Sequence, residues 1–324
     1  MSILLRNVLV LAALVLAAAL PPAAQAQVQR VVASIQPVGD LVAAVMAGLG
    51  TPTVLIPPGS SPHTYALKPS ERAAADRAQL LFWIGPDVES GLTKLTKSLP
   101  ANTRVVTLAT QPGMTLLPAR SGGDWERRRP TASANPAGGA EAHHDDDHAH
   151  GSGLDGHLWL SPDNAKTIVR AAQQQLAAAD PQHARQYATN ADQAIARIDS
   201  LTAQIRAQLA AVQDKPFIVF HDAYQYFEHA FGLHAVGSIV VSPEAMANAR
   251  RVQQMRDKIQ GLHVRCVFSE PQFAPQLVQT LVQGTPARIG TLDPLGAPGT
   301  PSLEAYVDIL RRLADNLKTC LAAP

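Results

Sequence analysis

Short β-branched runs alternate with helical stretches twice along this chain, and between the two series no Gly or Pro occurs from Gln182 to Val212. The first series places β runs at 31–35, 53–56, 80–85 and 104–109. Helical stretches lie between them at 38–47, from Ser70 as an expected N-cap, and at about 87–99. The second series places runs at 216–220, 234–241, 264–268 and 287–291, with helices at 223–231, 243–260, 274–283 and 302–321. Strands that alternate with helices predict an α/β fold with a central, mainly parallel sheet flanked by helices, here built twice as two lobes. Asp180-Pro181 offers an N-cap followed by Pro at the first helical position. The helix it opens, over 181–212, would be about 45 Å long and would join the lobes as one rigid strut.

The expected division is therefore a signal peptide over 1–26, an N-terminal lobe over 27–180, the linking helix over 181–212 and a C-terminal lobe over 213–324. The signal peptide is read from Arg6, the apolar stretch 8–20, Pro21-Pro22 and then Ala24-Gln25-Ala26, with cleavage after Ala26 into an exported form. An uncleaved anchor is the rival, but the apolar stretch falls short of the roughly 20 residues that a spanning helix needs. Loss of 1–26 removes one Arg and no acid, leaving 26 basic and 26 acidic residues. Such a balance gives no basic footprint for nucleic acid.

From about 111 to 156 periodicity stops and Gly, Pro, Ala, Arg, Asp and His dominate. A loop without fixed structure is expected over about 121–153, since this composition buries too little apolar surface to offset its ordering entropy. It contains EAHHDDDHAH, residues 141–150, with His143, His144, His148 and His150 beside Glu141 and Asp145 to Asp147. Tracts of this kind match metal binding, while an idle, solvated insert is the plain alternative. The two cysteines, Cys266 and Cys320, are expected to pair in an oxidising compartment and lack the close spacing of a zinc site.

Three further histidines stand beside short apolar runs: His63 in SPHTY, His157 in GHLWL and His221 in FHDAY. His63, His221 and Asp293 follow expected strands, and ligands of open α/β sheets gather outside the carboxyl ends of their strands. Each has a bland reading as a hydrogen-bonded or solvated side chain, and Asp293 before Pro294 is also a common turn starter. His183, His229, His234 and His263 have no partner motif.

Together SPHTYALKPSE, DGHLWLSPDNA, FHDAYQYF, VFSEPQF and IGTLDPLG make the chain resemble the cluster A-I metal-binding proteins of ABC importers, and among them the periplasmic binding proteins of high-affinity zinc importers. The resemblance spans essentially the whole chain after the signal peptide. It implies metal held between the lobes by His63, His157, His221 and a fourth group, Asp293 or water. Manganese members of that family carry a carboxylate where His221 stands, and three imidazoles suit Zn(II) better than Mn(II). Some zinc members carry Glu just before the first ligand His; Pro62 stands there in this chain. Glu270 is either a carboxylate that fixes a ligand imidazole or a solvent-exposed acid at a strand end.

The expected function is extracytoplasmic capture of Zn(II) and delivery to a cognate ABC permease in the inner membrane, by a periplasmic, monomeric protein that is not an enzyme. A manganese or iron carrier of the same family is one alternative. A zinc hydrolase is another, because three His and an open position also describe catalytic zinc. It finds no HExxH pair or nucleophile motif to support it.

Overall fold

The structure, a computed structural model, describes residues 30–120, 125, 153–240 and 249–322. The expected signal peptide, most of the loop over 121–153 and the first residues of the expected 243–260 helix lie outside these. Two four-stranded sheets, each wholly parallel, carry the two halves. The first comprises β1 (Val31–Ala33), β2 (Thr53–Val54), β3 (Leu80–Trp83) and β4 (Arg104–Thr107) in the order β2-β1-β3-β4. The second comprises β5 (Phe217–Val219), β6 (Ala235–Ser238), β7 (Cys266–Ser269) and β8 (Arg288–Thr291) in the matching order β6-β5-β7-β8. In both, the chain leaves the first strand toward one edge and returns toward the other. That reversal opens a crevice at the carboxyl ends of the strands, where ligands of such sheets bind.

The central strands read as continuous apolar runs because both of their faces are covered: every residue of β1, β3 and β5 is buried. The covering helices of the first half are α1 (Gln36–Val45), α2 (Pro69–Asp76), α3 (Thr93–Ser98) and α4 (Pro162–Ala179). Helix α4 starts where expected, with Ser161 Oγ accepting from the Asn164 N–H at 3.2 Å and Pro162 in the first turn. Helix α2 is capped at Lys68, two residues before the expected Ser70 cap. Pro69 fits the first helical turn, and the Glu71 carboxylate accepts from the Lys68 N–H at 2.7 Å.

The long linking helix α5 runs over Ala184–Leu209, after a 3-10 turn at Pro181–His183. Asp180 and Pro181 open it as expected, but the first turn is 3-10 and the Asp180 side chain caps no backbone N–H. The Asp180 carboxylate is spent on the His183 ring at 2.6 Å and the Tyr187 hydroxyl at 3.1 Å instead of on backbone N–H groups, which tightens the first turn. Buried Tyr187, Ala191, Ala194, Ile198, Leu201, Ile205 and Leu209 form a stripe of helical period along it.

The second half adds α6 (Gln225–Phe231), α7 (Ala249–Gly261), α8 (Gln276–Val282) and α9 (Leu303–Ala322). One continuous apolar core joins the first sheet, α1, α4, α5, α9 and one face of the second sheet. A smaller core, around Ile218, Val267, Met255 and Leu281, fills the space between the other face of that sheet and α7 and α8. Helix α9 crosses back to pack on α5 and α1, and the Ser302 N–H at its start donates to buried Asp40 at 3.1 Å. The Cys266–Cys320 disulfide, Cα atoms 6.1 Å apart, ties β7 to the end of α9.

The ends of the expected unstructured stretch are themselves ordered. Pro118 and Leu154 form an antiparallel bridge, with Ala119 N–H to Gly153 O and Asp155 N–H to Leu117 O both at 2.9 Å. Among the described residues no helix is long and apolar enough to cross a membrane.

Candidate metal centre

His63, His157 and His221 converge. His63 lies in the Pro-rich turn between β2 and α2, His157 just before a 3-10 turn at Leu158–Leu160, and His221 two residues beyond β5. One ring nitrogen from each lies within 4.8 Å of the other two. The Nε2 atom of His157 is 3.2 Å from that of His63 and 3.4 Å from that of His221. Tetrahedral zinc with Zn–N bonds of about 2.0–2.1 Å sets its donor nitrogens about 3.3 Å apart. The two distances from His157 match edges of a zinc tetrahedron, and the third pair, His63 and His221, lies within 4.8 Å.

Two of the three rings are oriented by buried carboxylates. His221 Nδ1 is 2.7 Å from Glu270 Oε1, and His157 Nδ1 is 2.8 Å from Asp155 Oδ1, which also accepts from the His157 backbone N–H at 2.9 Å. A carboxylate at Nδ1 keeps the proton there and turns the Nε2 lone pair toward the centre. Lone pairs so close repel one another, and a cation between them removes the conflict. Glu270 is only 3% exposed, which overturns the solvent-exposed reading of that residue. It stands directly after β7, on a strand neighbouring the one that delivers His221. Among the described residues, one oxygen of each carboxylate is buried without a hydrogen-bond partner, and a nearby divalent ion would favour the charged form of both groups.

Burial, followed by repulsion from His157 and His221, holds the His63 imidazole well below the usual 6.5. His157 is likewise held well below it, by burial first and His221 second. On His221 burial also acts downward. Attraction and hydrogen bonding to Glu270, with Asp222 and Asp155 behind them, outweigh it and hold the group above 6.5. Asp155 is pushed up to about 7, chiefly by burial. Trp159 and Phe273 stand beside the rings of His157 and His221, and Pro62, Pro294 and Leu295 complete an apolar rim. Such walls exclude water and strengthen the electrostatics inside.

The trio and Glu270 are thus brought together, and Asp293 is not part of the group. Asp293 Oδ1 accepts from Gln272 Nε2 at 2.7 Å and from the Leu295 N–H at 3.0 Å, the bonding of a turn-forming Asp ahead of Pro294. His143, His144, His148 and His150 lie outside the described residues. Asp155 was missed from sequence. Its signal was the short Asp-Gly-His spacing, which lets a carboxylate fold back onto a ring and backbone N–H two residues on.

A family model described as the periplasmic component A of the zinc-uptake complex, ZnuA, matches residues 31–320. The high-affinity zinc uptake system protein ZnuA of Brucella suis biovar 1 is 42% identical over 307 residues, covering 91% of this chain and 92% of its own length. A crystal structure of a ZnuA superposes with a TM-score of 0.73 at 24% identity, over 90% of this chain and 99% of that one. A manganese-bound periplasmic metal-binding protein from Candidatus Liberibacter asiaticus superposes with a TM-score of 0.69 at 19% identity, over 89% and 99%. The last two show the shared fold alone, and the fold does not choose the metal. On the match across nearly all its length, the chain belongs to the ZnuA family of periplasmic zinc-uptake components.

Proposed function

We propose that this protein captures Zn(II) as cargo at His63, His157 and His221 and hands it to the permease of an ABC importer, without catalysing any reaction and as a monomer. The observation that carries the reading is the spacing of the three Nε2 atoms with carboxylates seated behind two of them. Three imidazole donors favour zinc over manganese, whichever metal other members of the fold carry. The fourth position is filled by water or, after a turn of its side chain, by Asp293. Glu270 and Asp155 are committed to orienting imidazoles, which leaves neither free as the general base a hydrolase would need.

The working division is a lobe over 27–180, the linking helix over 181–212 and a lobe over 213–324, with residues 1–26 directing export. Hydrogen bonds that cross between the halves, such as Trp159 Nε1 to Pro294 O and Tyr306 Oη to Trp159 O, both 2.7 Å, support a small closure over a large one. His143, His144, His148 and His150 supply weak, multiple capture that raises the local zinc concentration.

Competitive zinc titration tests the assignment. A structural zinc site is worth about 10–16 kcal/mol over its ligands, so each His→Ala change in the trio should weaken binding at least about a hundredfold. Asp293→Ala should leave affinity unchanged if water is the fourth ligand. Deleting 141–150 should remove only additional, weaker binding. Tight binding that survives His221→Ala, or that disappears with the loop, would sink the assignment. Zinc uptake lost in a strain lacking the protein and restored by its return would test delivery.

A further inference from the structure

Arg120 lies at the root of the insertion and is committed to the second half of the molecule. Its Nε atom donates to Asp222 Oδ1 and Oδ2 at 3.1 and 3.0 Å, and its Nη1 and Nη2 atoms donate to Glu228 Oε2 and Oε1 at 3.1 and 2.8 Å. The guanidinium also sits 3.7 Å above the ring centroid of Trp125. Asp222 directly follows His221, and Glu228, on α6, is pinned further by accepting from the Ala235 N–H at 2.8 Å where β6 begins. A side chain 21% exposed that engages two carboxylates and an aromatic face is far from a loosely held surface ion pair.

The segment that carries Arg120 is bound just as closely to the stretch that presents His157. Ala119 and Leu117 bond to Gly153 and Asp155 through the short antiparallel bridge. The Tyr226 hydroxyl of α6 accepts from the Leu117 N–H at 3.0 Å and donates to Asp155 O at 2.8 Å, while Gln225 donates to Pro118 O at 3.0 Å. Arg120 therefore closes a ring of contacts that runs from His221 through Asp222 to residues 117–120, and on through Asp155 to His157.

Resting on the zinc site described above, we propose that Arg120 is a positioning residue for it: by clamping Asp222 and Glu228 from the root of the insertion, it fixes the His157 and His221 segments relative to each other and slows loss of the ion. A preset pair of donors leaves the ion less freedom to slip one ligand at a time. Arg suits this role because its planar fork meets two carboxylates at once, which a lysine ammonium cannot reproduce.

The test uses the purified full chain and three variants: Arg120→Gln, Arg120→Lys, and Arg120→Gln combined with Glu228→Gln. The double variant removes the charge of a buried carboxylate that Arg120→Gln alone leaves without its cation. Zinc release into excess chelator is followed by stopped flow, together with the visible absorption of Co(II) bound in place of zinc. Arg120→Gln should release zinc about tenfold faster and alter the Co(II) bands, within the range seen when groups behind metal ligands are lost. Arg120→Lys should recover part of the loss, and the double variant should behave like Arg120→Gln. Wild-type release rates and Co(II) bands in both Gln variants would overturn the proposal, whatever happens to their melting temperatures. Weak zinc binding by the unaltered protein would instead overturn the site assignment, and the inference with it.

Discussion

His157 and His221 rest on carboxylates through nearly identical contacts, Nδ1 to oxygen at 2.8 and 2.7 Å, yet the carboxylates arrive by opposite routes. Asp155 is two residues from its imidazole and is placed by a local turn. Glu270 is 49 residues from His221 and is placed by the pairing of β5 with β7. The electrostatic outcomes differ as well. Burial pushes Asp155 up to about 7, and burial, followed by repulsion from His221, holds the His157 imidazole well below 6.5. His221 has Glu270 at its ring and Asp222 and Asp155 nearby, and together they hold it above 6.5 in spite of its burial. Nearly equal geometry thus leaves one imidazole held well below its ordinary value and the other held above it.

Neutralising the two carboxylates one at a time puts this contrast to its largest test. Loss of a group that orients a ligand imidazole typically costs about 10–100-fold in metal affinity. Glu270→Gln should fall toward the upper end and Asp155→Asn toward the lower, because Asp155 has less charge to lose at neutral pH. Asn at 155 also keeps an oxygen that can accept from the His157 N–H. Zinc competition titrations at pH 7.5 on both variants give the ranking. Equal losses would mean that the carboxylates act only as hydrogen-bond acceptors.

A pH series sharpens the same contrast. Ligation needs neutral imidazole, and His63 and His157, held well below 6.5, are already neutral throughout the range near pH 7. His221, held above 6.5, is the proton competitor. As pH falls through the pKa of His221, zinc affinity should drop about tenfold per unit, with one proton displaced per ion. Glu270→Gln removes the chief group raising His221, so its drop should begin at lower pH even though its affinity at pH 8 is the weaker. Asp155→Asn should hardly move the onset, since Asp155 is the last contributor on His221. An onset unchanged by Glu270→Gln would assign the competing proton to another group.

The same division of local from distant explains what could be read in the sequence. The two α/β halves and the long helix were legible because hydrophobic periodicity is a short-range signal, and the three histidines because each sits in a compact motif. Glu270 stayed ambiguous because its burial depends on which strands pair, a decision made across 49 residues. Whether Asp293 or water completes the set was not legible, because its Oδ1 accepts from Gln272 and the Leu295 N–H, bonds that the position after a strand does not reveal. One helix start moved from Ser70 to Lys68, where Pro69 fits the first turn and Glu71 accepts from the Lys68 N–H, and at Asp180 the cap position held while the His183 ring took the carboxylate. Arg120 carried no motif, because its partners, Asp222 and Glu228, lie more than a hundred residues away in the chain.

The smallest effect expected from the contrast is at the disulfide. Cys266 opens β7, and Glu270 follows four residues later, so the bond to Cys320 anchors the strand that delivers the distant carboxylate. Replacing both cysteines with serine should lower stability by about 4 kcal/mol for a loop of this length, read from urea denaturation. Zinc affinity should fall by only about threefold, less than when a carboxylate is lost outright, because β7 still pairs with β5 and β8. Imidazole NMR resonances locate the loss: His221 should shift while His157, held by its own turn, stays in place. Equal shifts at both rings would mean that the Glu270 side of the centre is no more dependent on distant packing than the Asp155 side.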